Sequence, residues 1–176
     1  MSAWTVIQHI EVPSGGQASI EFTSISGSYT DLYLVLSLRT ARSAAFDEGR
    51  LYFNGSNTSL STRFLEGTGS TASSGSLSNG YFGIVNSNTS TSNTFSNHVI
   101  YIPNYAGSAN KSYSSNSVSE QNATLSYQDI VAGLWSSTDA INKITIVNAQ
   151  ATNFLQYSSA TLYGITRGSS GGVTVS

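Results

Sequence analysis

The residues best suited to nucleophilic chemistry are the two histidines, His9 and His98, set in a chain crowded with serine. A Ser-His-acid arrangement is recognised by geometry, which spacing alone does not supply. Both histidines also fall inside segments that read as strands. Satisfied or solvent-facing strand histidines are therefore the expectation.

Glycoside hydrolysis would need two carboxylates facing each other across a cleft. The nine acids are scattered singly, apart from Asp47-Glu48, which precede Gly49 and Arg50 and read as a solvated turn. A calcium ion would want six to eight oxygens around it, far more than two adjacent acids provide. There is no cysteine and no His-x-His pair, so neither a thiol nor a transition-metal site is expected. The glycines between residues 67 and 75 are followed by no Lys-Ser/Thr and open no helix, so they make no phosphate loop. No cofactor and no catalytic residue is expected, and the chain reads as something other than an enzyme.

Two groups remain that suit contact. Arg39 and Arg42 flank the end of a strand, near Asp47 and Glu48 in sequence. They suit either a local ion pair that pins a loop or a salt bridge between subunits, since arginine is enriched at interfaces. Ten tyrosines are the other group. Tyr105, Tyr113 and Tyr157 fall in loops or on the polar face of a strand, where an amphipathic ring suits an interface or a platform for sugar.

These side chains must be positioned by strands. Period-two alternation runs through residues 4–11, 17–23, 32–39, 81–86, 94–102, 111–120, 127–136, 143–148 and 160–165. Leu32, Leu34, Leu36 and Leu38 alternate with Tyr33 and Val35, so this segment is apolar on nearly both faces and belongs at the centre of a sheet. Residues 127–136 form a second apolar run. Leu51 and Phe53 mark a short strand before Asn54-Gly55, a strong hairpin signal, with a return strand at 61–65. Residues 41–49 read as a loop, 66–79 as a long loop or exposed arm, and 111–120 as a polar strand solvated on one face. Helical periodicity is limited to one turn at most, near 139–142. Ten or eleven short strands predict an all-β, single-domain β-sandwich over residues 1–165, followed by a Gly/Ser-rich tail at 166–176. A jelly roll is the preferred topology, with an immunoglobulin-like Greek key second.

Composition narrows the partners. Of 176 residues only 9% are charged, with seven Lys+Arg and a net charge of −2. No basic stripe exists to neutralise phosphates, so nucleic acid is an unexpected partner. No apolar run approaches about 18 residues, so no membrane span is expected, and the first residues lack the pattern of a signal peptide. Two Trp, seven Phe and ten Tyr recurring within alternating segments set the chain apart from disordered Ser-rich sequences.

The wording of four segments adds a resemblance. SIEFTSISGSYTDLYLVLSLRT (19–40), NTFSNHVIYIPNYAGSANKS (93–112), ATLSYQDIVAGLWSST (123–138) and FLQYSSATLYGI (154–165) resemble a family of tailed-phage virion proteins common among phages of aquatic bacteria, cyanophages included. The likeness runs from about Trp4 to Ile165 and rests on the order of segments, with no catalytic motif. It implies a particle component made in the host cytoplasm and carried on the outside of the virion. One form is a head decoration (cement) protein that binds the major capsid protein, by analogy as a homotrimer. The other is a tail-fibre module that touches host carbohydrate. For the first form the expected contacts are Trp4, Val173 and Val175, with Arg39, Arg42, Tyr105 and Tyr113 as further interface candidates. For the second, Tyr105, Tyr113 and Tyr157 would stack on sugar.

Overall fold

The computed structural model describes residues 4–123 and 125–167. Twelve strands and no helix are found among them, in two antiparallel sheets packed face to face. The large sheet runs in the order β1 (Trp4–Glu11), β12 (Ser159–Ile165), β3 (Asp31–Leu38), β8 (Ser96–Pro103), β9 (Lys111–Ser119), β10 (Tyr127–Trp135), β5 (Leu60–Gly67) and β6 (Ala72–Leu77). The small sheet runs β2 (Ile20–Phe22), β11 (Ile144–Asn148), β4 (Phe46–Phe53) and β7 (Tyr81–Asn86). The expected β-sandwich is thus present. Its eight-against-four strand order does not by itself make it a jelly roll.

The core follows from the alternation. Leu32, Leu34, Leu36 and Leu38 all point inward from β3 and are buried, as are Ile100, Ile102 and Leu162 on the strands beside it. The small sheet answers with Ile20, Phe22, Leu51, Phe53, Ile144 and Ile146. Each such side chain contributes about 1.5–3 kcal/mol when fully buried. Phe53 joins the sheets, with its ring 5.5 Å from Trp135 and 6.0 Å from Tyr113.

Three expectations change. Asn54-Gly55 does form a tight turn, with both φ angles positive (51° and 76°) and the Ser56 N–H bonded to the Phe53 carbonyl at 2.8 Å. The turn is not followed by a return strand in the same sheet. β4 lies in the small sheet and β5 in the large one, because Asn54 is anchored elsewhere: its Oδ1 accepts the N–H groups of Asn142 and Lys143. Residues 41–49 are only partly loop, since β4 starts at Phe46 and holds Asp47 buried. Residues 66–79 contain β6, in unbroken register with β5. Ladder hydrogen bonds need no apolar side chain, so a Ser/Gly strand carries little sequence signal. Gly75 lets the Phe64 ring lie against the strand, since a Cβ would come within 2.6 Å of it.

Candidate functional site

The groups with catalytic potential lie between the sheets. β7 is an edge of the small sheet, and its backbone is met by side chains of the large one. Tyr113 and Ser115 of β9 donate their hydroxyls to the carbonyls of Tyr81 (2.9 Å) and Phe82 (2.6 Å), and Ser119 donates to that of Ile84. Asp129 of β10 accepts from the Tyr81 hydroxyl (3.0 Å), the Ser117 hydroxyl (2.8 Å) and the Ile84 N–H (3.1 Å). Close approach depends on Gly83 (φ 135°), where a Cβ would sit 2.1 Å from Ser117 Oγ. β9 is thus a polar strand solvated on one face, as expected. Its buried face is Lys111, Tyr113 and three serines, and its outer face is Ser112, Ser114, Asn116 and Val118.

His98 is also enclosed in this seam. Ser96 donates to the Leu38 carbonyl at 3.0 Å, so His98 Nε2 carries the hydrogen in its 2.8 Å bond to Ser96 Oγ. His98 Nδ1 makes no hydrogen bond of good geometry, and burial holds the imidazole neutral, with its pKa pushed down to about 3 against a smaller opposing effect of the Phe82 backbone. The Tyr81 and Tyr113 phenols are pushed up, in both cases chiefly by burial, with Asp129 adding to the effect at Tyr81. Glu66 stands opposite Asp129 across the β5–β10 ladder, and burial followed by the Asp129 charge raises its carboxyl above the usual range. Sequence reading sees these acids as unrelated, because strand pairing across about sixty residues brings them together. Asp129 is nonetheless buried, with both oxygens engaged. Ser96, Ser117 and His98 are buried with it. No group of three or more His, Cys, Asp or Glu is placed to hold a metal among the described residues.

The contact candidates separate into two kinds. Arg39 is buried, and its guanidinium donates to the carbonyls of Asn88 (3.3 Å), Ser90 (3.0 Å), Thr91 (2.8 Å) and Thr94 (2.8 Å). It pins the loop between β7 and β8 through carbonyls, not through an acid, and burial lowers its pKa. Arg42 does serve a local role: it donates to the Phe46 carbonyl at 2.8 Å and lies 3.9 Å from Asp47. Glu48 is taken by Arg50 at 2.9 Å. Tyr105 and Tyr113 are corrected as surface rings. Both are buried in the core, Tyr105 with its hydroxyl donated to the Ser26 carbonyl. They fill volume between the sheets and have no face to offer a sugar. Tyr157 is exposed, on a backbone held at φ 70°. Trp4 is half exposed and leans on Tyr33 and Tyr163, with ring centroids 4.9 and 6.2 Å away. Val173 and Val175 lie outside the described residues.

Exposure is concentrated on the outer face of the large sheet. The registers place Val35, Tyr101, Val118, Ile130, Leu134 and Leu65 on that one side, and each is more than a third exposed. From β3 across to β6 the charged residues on this face are Asp31 and Arg63, and Asp31 is engaged by the Tyr101 hydroxyl (3.0 Å) and the Asn104 N–H (2.9 Å). A shallow groove of about 600 Å³ crosses it, lined by Arg63, Leu65, Ile130, Ala132 and Ser74 among others. A second, more polar hollow of about 330 Å³ lies at the pinned loop, lined by Asn88, Asn93, Phe95, Gln156 and Tyr157 above Arg39. The apolar positions of β10 were visible in the sequence as a near-continuous run. What they signalled was an outward apolar row on a strand that is buried on its other face only.

No family model, no curated protein and no solved structure matches the chain.

Proposed function

We propose that the chain is a structural protein of a phage particle, a head decoration protein that lies on the major capsid protein through the outer face of its large sheet. The observation that carries this reading is the face itself: an exposed apolar row and almost no charge. The six strands from β3 to β6, about 4.8 Å apart and about 25 Å long, give roughly 700 Å². A standard protein–protein contact covers about 800 Å² per partner. A cluster of exposed apolar side chains on a face this large marks an interaction site. The buried, hydrogen-bonded state of Ser117 and Asp129 and the enclosure of His98 support a role in contact instead of catalysis. The phage assignment comes from the resemblance of the sequence segments.

Gold-labelled antibody to the purified protein should mark phage heads in lysates that contain the chain. Protein carrying both Leu65→Glu and Ile130→Glu should fold normally yet lose head binding by on the order of 100-fold, since each change puts a charge into a desolvated contact. Particles without label would overturn the reading.

One observation favours the second reading, a tail-fibre module that binds carbohydrate. Tyr157 is held out to solvent in a strained conformation beside the amides of Asn88, Asn93 and Gln156, the pairing of aromatic plane and amide that suits a neutral sugar. Label confined to tails, with glycan-array binding abolished by Tyr157→Ala, would establish it in place of the first.

A further inference from the structure

Among the described residues the two sheets have four edges, and three of them carry features that discourage further pairing. β1 carries a bulge between Val6 and Gln8 and ends on Glu11. β2 is three residues long and holds Glu21, which is paired with Lys143 at 3.0 Å. β7 is covered by hydroxyls of β9 and by Asp129. These are the devices by which folded proteins keep sheet edges from pairing with other chains.

β6 has none of them. It is six residues long, Ala-Ser-Ser-Gly-Ser-Leu, without charge, proline or bulge, and its register with β5 is continuous. No other strand pairs with it among the described residues. Every second residue therefore turns an N–H and a C=O away from β5, into the plane of the sheet, where only another extended strand can bind both in series. We propose that β6 is a self-association edge, and that it pairs antiparallel with β6 of a second copy to continue the sheet across a two-fold axis.

The occupant is argued from charge and area. Antiparallel pairing of a strand with its own copy is isologous, so each residue meets residues of the same strand. A strand of one charge sign would repel itself there, whereas small neutral side chains do not. Glu66, the nearest acid, belongs to β5 and is engaged by Ser73 on the inner side at 3.3 Å. Ser74 and Ser76 face outward beside Leu65 and Arg63. Two six-residue strands exchange about six backbone hydrogen bonds. The contact is well below about 1,200 Å², which places it among weak interfaces. It becomes effective where copies are crowded together, and it does not depend on what the outer face binds.

Sedimentation equilibrium of the full chain should show a monomer–dimer equilibrium with Kd on the order of 10–100 µM. Ser74→Lys with Ser76→Lys would set four lysines against one another across the seam without touching the β5 ladder. The dimer should weaken by on the order of 100-fold, with circular dichroism and melting of the monomer unchanged. Thr5→Lys with Gln8→Lys on the β1 edge should leave the dimer intact. Amide exchange should show protection at alternate residues of 72–77 that rises with protein concentration. A chain that stays monomeric to about 1 mM, a dimer indifferent to the two lysines, or a closed trimer would each overturn the proposal.

Discussion

Asp129→Ala should lower the stability of the protein by about 4 kcal/mol. The carboxylate is buried and is the common acceptor for three donors on two sheets: the Tyr81 hydroxyl, the Ser117 hydroxyl and the Ile84 N–H. Removing it leaves all three facing a small void. Each unsatisfied buried donor costs about 1–3 kcal/mol, and rotation of the two hydroxyls recovers part of that. The Ile84 N–H cannot turn away, because it is fixed in β7. For a chain of this size the loss corresponds to a fall in melting temperature of roughly 8–16 °C. Asp129→Asn should cost less, since one oxygen still accepts while its new N–H₂ faces a donor. Urea unfolding followed by the fluorescence of buried Trp135 would measure both. A loss under about 1 kcal/mol for the alanine variant would show that the seam does not hold the sheets together.

The same seam marks where sequence reading stops. The four leucines of β3 announce a buried strand, because period two and side-chain type agree, and the strand lies where they predict, inside the large sheet. β9 is the polar strand, solvated on one face, that the sequence predicts, but which face is solvated was not legible. Serine reads as solvent-facing, yet here serine hydroxyls satisfy the open edge of β7, a demand set by a strand some thirty residues earlier. β6 is nearly silent, because its pairing uses only backbone. Asp47 looks solvated beside Glu48, yet alternation along β4 sends one inward and the other out. Of the contact residues, Trp4 and Tyr157 are exposed, whereas Tyr105 and Tyr113 were drawn into the core by large rings with a reachable carbonyl. The outer apolar row was written plainly in β10, but a run that is apolar on both faces does not say which face is covered. That distinction needs the second sheet, and the small sheet covers only one side.

Acid should weaken the fold through His98. In the unfolded chain this imidazole takes a proton near its ordinary pKa of 6.5, whereas in the folded protein burial holds the value down to about 3. Between those limits the unfolded chain binds more protons than the folded one. The contribution of His98 is therefore complete above pH 6.5 and is lost as pH falls toward 3, at about 1.4 kcal/mol per unit, for a total of about 4–5 kcal/mol. Asp47 and Glu66 act in the opposite sense, since burial raises both carboxyls and their protonation in acid favours the folded state. The net pH profile is the difference of these trends, and a variant isolates the histidine. His98→Leu removes the titrating ring and leaves Ser96 bonded to the Leu38 carbonyl. Stability measured by urea unfolding at intervals from pH 7 to pH 3 should fall more steeply for the parent than for the variant, and the two curves should converge by about 4 kcal/mol. Curves that run parallel would mean that the ring takes up its proton inside the folded seam, and that Nδ1 has a route to water.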